Sequence, residues 1–531
     1  MEKKTLIAPS LGHLLERTAR ENPDKTFLIF DDTQISYAEI DRRVNKLANG
    51  LKEIGVSKGV NVSVMLPNGF EFPITWLALA KLGAVMVPTN VNYQAHDLEY
   101  TLLDSDAEVM VVHEDYLAVL ESVKNNCPKL REIVLLGNVG KEYLNFEELT
   151  DKASADFTMT DVEENDLINI QYTSGTTGFP KGCMLTHRFW ILMAQSIVEE
   201  VDEAEAGTQD DVLLTAQPFF YIDPQWNTTL AMAAGISLVI MKRFSPSNFW
   251  PTVQKYGVTF FYLAGTMPFY LLELEENPEL ERNHKVKMIG CGGLPPQFHA
   301  ELERRWGTPV REGFGMTETG ADLGISIDDE ESVGSGAMGA PVPTKEARVV
   351  DENDRELPDG TTGELVVRGE PMMIGYWNKP KETAEAMRGG WFHTGDLAFK
   401  DEKGYFHWVG RIKDMVRRSG ENISAAEVEG VLTEHRNVTA AAVVPVPDRL
   451  RGEEVKAYLV LKSGETPDTT PPEEIIESIR EKISYFKIPR YLEYIGDLPR
   501  TPSERVEKHK LIKLKEDLRT GSYDAVDKKW R

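Results

Sequence analysis

The feature that most restricts the fold is an alternation of short apolar runs with amphipathic stretches, sustained from the first residues to about residue 291. Residues 10–21 set Leu11, Leu14, Leu15 and Ala19 at helical spacing, and residues 37–54 do the same with Ile40, Val44, Leu47 and Leu51. The pattern predicts strands at 27–30, 62–66, 85–88, 107–112 and 133–136, with another helix at 70–82. It resumes with strands at 167–172, 212–216, 237–241, 260–264 and 287–291. Strands and helices alternating at this pace imply an α/β fold with doubly wound sheets. Between 347 and 368 the rhythm changes to two short strands, EARVVD and GELVVRG, joined by the turn-like LPDGTTG, which predicts a small β subdomain at about 333–412. Strands at 438–446, 455–461 and 491–495 and a helix at 472–483, opened by a Thr470–Glu473 capping box, predict a separate α+β domain. The expected division is a large N-terminal domain, 1–412, and a small mobile C-terminal domain, 413–531.

Within that frame the stretch 172–187, YTSGTTGFPKGCMLTH, carries the strongest chemistry. Thr173, Ser174, Thr176 and Thr177 supply hydroxyls between Gly175 and Gly178, which let the backbone turn and bring its N–H groups to a phosphate chain; Lys181 adds a positive charge. A strand at 167–172 and a helix at 188–199 would put this loop at a strand-to-helix corner, where anions are favoured. It is not the P-loop of nucleoside triphosphatases, because Phe179 and Pro180 separate the glycine from the lysine.

Charge narrows the partners. With a formal net charge of −26 over 531 residues, nucleic acid and anionic membrane are poor candidates, since both demand a basic surface. The longest apolar window, 74–88, contains Lys81 and is too short to span a bilayer. Cys127, Cys183 and Cys291 are odd in number and far apart, which fits neither a disulfide framework nor a zinc site and suits a reducing cytoplasm. Oligomeric state stays open, a homodimer included.

The TSGTTGxPKG string resembles the nucleotide loop of adenylate-forming enzymes, the superfamily of acyl-CoA synthetases, peptide-synthetase adenylation domains and beetle luciferases. Further strings match in the same order, from the first helix to about Leu511. Phe314-Gly315-Met316-Thr317-Glu318 resembles the segment whose Glu holds magnesium and whose Thr contacts the α-phosphate. WFHTGDL at 391–397 is similar to the ribose segment, with Asp396 as acceptor of the sugar hydroxyls. Gly410-Arg411-Ile412-Lys413-Asp414 resembles the element with a second ribose contact, Arg411, and the interdomain hinge, Lys413. Residues 418–423, including Gly420 and Glu421, resemble the loop used in the thioester step.

The resemblance implies an ATP-dependent acyl-CoA synthetase. A small-molecule carboxylic acid attacks the α-phosphorus of Mg²⁺·ATP to give acyl-AMP and pyrophosphate; the thiol of coenzyme A then takes the acyl group and AMP leaves. A carrier-protein thiol, or a binding protein without turnover, are the alternatives. By the same resemblance Thr173, Lys181, Thr317, Glu318 and Arg505 are catalytic, and Tyr221, Asp223, Trp226, Gly292 and Gly293 face the acid. Two departures stand out: Arg505 occupies the place of the usual lysine near the C-terminus, and Tyr221 that of a common histidine. The aromatic run 219–226 is most similar to carnitine and crotonobetaine CoA ligases, so Asp223 and Trp226 could offer a counter-charge and a π face to a quaternary ammonium. Asp223-Pro224 could equally be a helix N-cap followed by proline at the first helical position.

Overall fold

The computed structural model describes residues 4–138, 140, 142–173, 180–203, 210–265, 267–418, 421–449, 451–480, 482–483, 485–501 and 505–531. The chain forms two compact units, one of residues 1–174, 180–346 and 368–390, the other of 175–179, 347–367 and 391–531.

The first unit holds two sheets. One runs in the order Leu144–Asn145, Glu132–Leu136, Val109–His113, Asn61–Met65, Val85–Pro88, Leu167–Thr173, Lys181–Thr186. All its pairings are parallel except the last. In the other, strands Thr26–Phe30, Ser237–Ile240, Val212–Thr215, Phe260–Ala264, Met288–Gly292 and Val310–Met316 lie side by side and parallel. The antiparallel strand Thr33–Ser36 borders Thr26–Phe30, and Gly320–Gly324 and Ala337–Pro341 follow Val310–Met316 as antiparallel additions. Asn61–Met65 and Val85–Pro88 are buried at every position, as parallel strands covered on both faces must be. Helix Tyr37–Glu53 buries the predicted Ile40, Val44, Leu47 and Leu51, and the Ser36 hydroxyl caps its start by accepting from the Glu39 N–H. Helix Glu71–Leu82 is apolar at nearly every position from Phe72 to Ala80 and is buried from Phe72 to Leu82, ending at Gly83 in the left-handed region that suits a glycine C-cap.

In the second unit residues 363–367, Phe392–Lys400 and Phe406–Arg411 form an antiparallel meander. Beyond it, the hairpin Val438–Asp448/Gly452–Leu461 is joined by Met415–Arg418 and by the parallel strand Tyr491–Tyr494. Helices Ala425–Thr433 and Pro472–Ile479 close its core through Val428, Leu432, Ile475 and Ile479.

Three local expectations are corrected. The nucleotide loop does not sit at a strand-to-helix corner: Lys181–Thr186 is a strand, antiparallel to Leu167–Thr173 with Thr173 opposite Lys181, and the helix starts only at His187. A Cβ on Gly182 would fall 2.4 Å from Ile170 Cγ2, so the glycine is what admits this close pairing. The Thr470–Glu473 capping box is absent, because the Thr470 hydroxyl is engaged by Asn437 (2.8 Å) and Glu465 (3.0 Å), and the helix takes Pro471 as its N-cap. Asp223 is not an N-cap either; Tyr221 is, so helix Ile222–Ala234 begins two residues earlier than an Asp223 cap would start it.

Candidate active site

In the first unit the hairpin Val310–Met316/Gly320–Gly324 carries Glu318 at its tip. Gly315 is needed because a Cβ there would lie 2.2 Å from the Gly320 carbonyl oxygen, and Gly320 closes the three-residue loop at φ 76°. Thr317 and Glu318 are thereby held on a short turn between strands. The Glu318 backbone oxygen accepts from the Met373 N–H (2.7 Å), and its side-chain Oε1 from the Tyr376 hydroxyl (3.0 Å). Tyr376 is brought there by residues 374–377, whose backbone bonds to Gly182 and Met184 add them alongside Lys181–Thr186. The same pairing sets Lys181 Nζ 4.3 Å above the Tyr376 ring. Burial and the neighbouring Glu318 charge push the Tyr376 phenol far above its usual value, so it stays a donor. Lys181, Tyr376 and Glu318 thus form a connected cation–ring–carboxylate set.

Lys345 braces this hairpin from within. Its buried ammonium donates to the Thr319 carbonyl (2.6 Å) and to the Pro371 carbonyl, and lies 3.3 Å from the buried Asp322 carboxylate. Asp322 in turn accepts from the Thr319 hydroxyl. One cation therefore ties the segment after Glu318 to the segment leading to Tyr376.

The expected acid-facing residues lie in the same unit. Asp223 is in the first turn of helix Ile222–Ala234 and accepts from Gln217 Nε2 (3.0 Å) and Asn227 Nδ2 (3.3 Å). Burial pushes its carboxyl up to about 7. Tyr221 caps that helix, and Trp226 sits half-buried one turn on, its indole N–H buried without a partner among the described residues. Gly292 ends strand Met288–Gly292, where a Cβ would fall 2.3 Å from the Tyr262 hydroxyl; Gly293, at φ 76°, donates its N–H to Glu312 (2.9 Å). Glu312 also accepts from Leu294 N (3.0 Å), and burial pushes its carboxyl up to about 7. The charges of Asp223 and Glu312 add to burial in raising the Tyr262 phenol. Tyr376, Tyr262 and Glu312 were not singled out from the sequence. Only Glu312, two residues before the string 314–318, had a signal nearby.

In the second unit Asp396 and Arg411 are cross-strand partners of the Phe392–Lys400/Phe406–Arg411 pair. Asp396 Oδ1 is ion-paired with Arg411 Nε (2.7 Å) and accepts from Trp408 Nε1 (2.9 Å), while Oδ2 is buried with no partner among the described residues. Burial raises the Asp396 pKa, and the charges of Arg411, Arg505 and Lys413 oppose that shift. Desolvation, reinforced by Arg411, pushes Lys413 down to about 8, with Arg505 acting in the same direction. The charges of Arg411, Arg505 and Lys413 therefore all act on one buried carboxylate whose Oδ2 can accept a hydroxyl. The nearby lysines are committed elsewhere, Lys508 to Glu429 (2.7 Å) and Lys510 to Glu507 (2.5 Å). Ser174, Gly175, Thr176, Thr177, Gly178 and Gly420 lie outside the described residues, and Glu421 is described only as the first residue of strand Glu421–Ser424.

Residues 15–377 match the AMP-binding enzyme family and residues 427–505 the AMP-binding enzyme C-terminal domain. The chain belongs to this family. It is 32% identical to the crotonobetaine/carnitine–CoA ligase of Citrobacter koseri, over 94% of this chain and 98% of that one. Among solved structures it is similar to the anthranilate CoA ligase AuaEII in complex with anthranoyl-AMP (TM-score 0.86, 26% identity, 96% and 98% of the two chains). It is likewise similar to ATP-bound MatB from Rhodopseudomonas palustris (TM-score 0.84, 29% identity, 94% and 98%). The protein is an AMP-forming acid–thiol ligase, making acyl-CoA from a carboxylic acid, ATP and coenzyme A through acyl-AMP. Among the described residues no helix is long and apolar enough to cross a membrane.

Proposed function

We propose the following division of labour. Thr173 and the loop 174–178 cradle the phosphates with Lys181, and Thr317 contacts the α-phosphate. Glu318 holds Mg²⁺, an ion that suits a single carboxylate beside ATP oxygens because it takes few protein ligands. When bound, that ion offsets the charge of the departing pyrophosphate. Asp396, through its partnerless Oδ2, and Arg411 take the ribose hydroxyls. Arg505 draws the acid's carboxylate and the α-phosphate together, a role that needs charge and bidentate geometry and no proton transfer. Lys413 is the pivot about which residues 413–531 turn between adenylation and thioester formation, and Gly420 and Glu421 serve the second step. Since the protein is asked for little covalent chemistry, positioning and charge stabilisation carry the rate.

The acid is bound against Tyr221, Asp223, Trp226, Gly292 and Gly293, and its far end carries a quaternary ammonium. Supporting this are Asp223, a carboxylate that a bound cation would pull into its ionised form, and the half-buried Trp226 on the same helix. Several relatives, moreover, are named crotonobetaine/carnitine–CoA ligases. Three buried, free cysteines favour the cytoplasm as the compartment. The observation that carries the assignment is the Tyr376–Glu318 bond beneath Lys181. Pyrophosphate release measured over a panel of trimethylammonium and plain carboxylates of matched size, with and without coenzyme A, tests it. Acid-dependent release that favours the trimethylammonium acids, and thioester only with coenzyme A, is the expected result; indifference to the ammonium group would reject the substrate class.

A further inference from the structure

Beneath the segment 217–221 lies a chain of neutral side-chain amides. Asn169, Gln171 and Gln225 are 0%, 2% and 0% exposed. Asn169 Oδ1 accepts from the indole N–H groups of Trp76 (3.0 Å) and Trp190 (3.2 Å), which fixes its amide orientation, and its Nδ2 donates to Gln225 Oε1 (2.8 Å). Gln225 Nε2 then shares its two hydrogens among the Phe219 carbonyl (2.9 Å), the Tyr221 carbonyl (3.0 Å) and Gln171 Oε1 (3.2 Å). The relay ends where Gln171 Nε2 donates to the Phe220 carbonyl (2.7 Å). Three successive backbone carbonyls, those of 219, 220 and 221, are therefore held by side chains and not by a neighbouring strand. Asn68 adds a clamp at the start of the segment, donating to the Gln217 carbonyl (2.9 Å) and accepting from Phe219 N (2.9 Å).

Such a network is costly to bury unless complete, and every member of this one is satisfied. The two ends of the relay lie at chemically different places. Asn169 and Gln171 belong to strand Leu167–Thr173, which runs directly into the nucleotide loop; Gln225 belongs to the helix that carries Asp223 and Trp226. We infer that Gln171 and Gln225 are positioning residues that set the wall of the acid site against the strand leading to the α-phosphate, and so determine which acids reach it in line. This rests on the reading that residues 219–226 wall the acid site. An apolar core at these positions would fill the space equally well, but it would leave the three carbonyls free to choose other orientations.

Gln171→Met removes one donor at the end of the relay while keeping side-chain length, and Gln225→Met removes its centre. In the full-length protein, the first half-reaction would be followed by pyrophosphate release for trimethylammonium, straight-chain and aromatic carboxylates, with the KM for ATP and the melting temperature measured alongside. A misplaced wall should raise the KM of the best acid about tenfold and flatten the ranking of acids, with the KM for ATP changed less than about twofold. A lower melting temperature with the ranking intact, or an equal rise in both KM values, overturns the inference; so does loss of the fold in both variants, which would make the relay purely structural. If only Gln225→Met fails to fold, Gln171→Met decides. Tyr221→Ala separates the two layers: if it leaves acid ranking unchanged, the wall is elsewhere and the reading beneath fails, whereas a changed ranking there beside none in the glutamine variants sinks the relay alone.

Discussion

Glu318 and Asp396 are both buried carboxylates on β-hairpin scaffolds, 7% and 1% exposed, yet their surroundings are opposite. Glu318 is steadied by a neutral phenol, Tyr376, and the cation of that cluster, Lys181, stands over the ring. Asp396 is paired directly with Arg411 and further opposed by the charges of Arg505 and Lys413. A carboxylate held by a neutral donor keeps its full charge available for a cation. One already matched to guanidinium has its charge answered, and its remaining oxygen is left to accept hydroxyls. On the division of labour proposed above, the same functional group would serve a metal in one place and a sugar in the other.

The contrast breaks most readily at Glu318. Glu318→Ala should lower the rate of acyl-AMP formation by about 10²- to 10³-fold while leaving the melting temperature close to that of the parent, since the loss is of transition-state charge stabilisation at a polar turn. Stopped-flow or single-turnover pyrophosphate assays across a magnesium titration measure it. A normal magnesium requirement would show that this carboxylate holds no metal.

Arg505→Ala should slow the first half-reaction by about 10²-fold, as for loss of a preorganised charge, and leave thioester formation from supplied acyl-AMP nearly untouched. Lys508→Ala and Lys510→Ala are the controls, because their ammonium groups already answer Glu429 and Glu507. A large loss in either lysine variant beside an unimpaired Arg505→Ala would transfer the role to that lysine.

Smaller changes sharpen the comparison by touching only the partners. Tyr376→Phe removes one hydrogen bond to a charged group, worth about 1.5 kcal/mol at the low end of its usual range, so the rate should fall about tenfold and the magnesium requirement should rise. Asp396→Asn should act on the sugar instead. The parent is expected to prefer ATP to 2′-deoxy-ATP, and the variant to lose most of that preference with its magnesium requirement unchanged. Reversal of the two signatures would mean that the neutral and cationic surroundings do not sort the carboxylates as argued.

How far these places were visible in the sequence depended on how local their chemistry is. Glu318, Asp396 and Arg411 were legible because their neighbours in the chain are part of the same motif, and Asp396 meets Arg411 through a single hairpin. The parallel strands were legible because runs such as 85–88 are apolar at every position and buried on both faces. Tyr376 was not, since it reaches Glu318 from 58 residues away through a backbone pairing with 182–184 that no side-chain pattern announces. Nor was the strand Lys181–Thr186, whose short run begins with lysine and glycine and reads as loop until Ile170 is seen packed against Gly182. Thr470 shows the converse error: a correct local signature lost to Asn437 and Glu465, which offer its hydroxyl stronger tertiary partners.

The smallest expected effect belongs to a third carboxylate, Asp223, which has neither a phenol nor an arginine but two amides, and whose pKa burial lifts to about 7. Its sign is fixed by linkage. Between the usual carboxylate range and about pH 7 the folded protein holds this proton more tightly than the unfolded chain, so folding stability falls as pH rises through that window. Asp223→Asn removes the penalty: above pH 7 it should melt higher than the parent by about 2 °C, with the advantage vanishing toward pH 4. Binding should respond in the other direction. A trimethylammonium acid needs the ionised form, so its KM in the parent should fall a few-fold, about 0.5–1 kcal/mol, as pH is raised from 6 to 8, whereas the KM of a plain acid of the same size should not. In Asp223→Asn both acids should show the same flat profile. If the melting advantage appears but the two acids still behave alike in the parent, Asp223 is a desolvated structural carboxyl and the cation is read elsewhere. If the advantage is missing while the acids differ, it is the burial of Asp223, and not its place beside the acid, that has been misjudged.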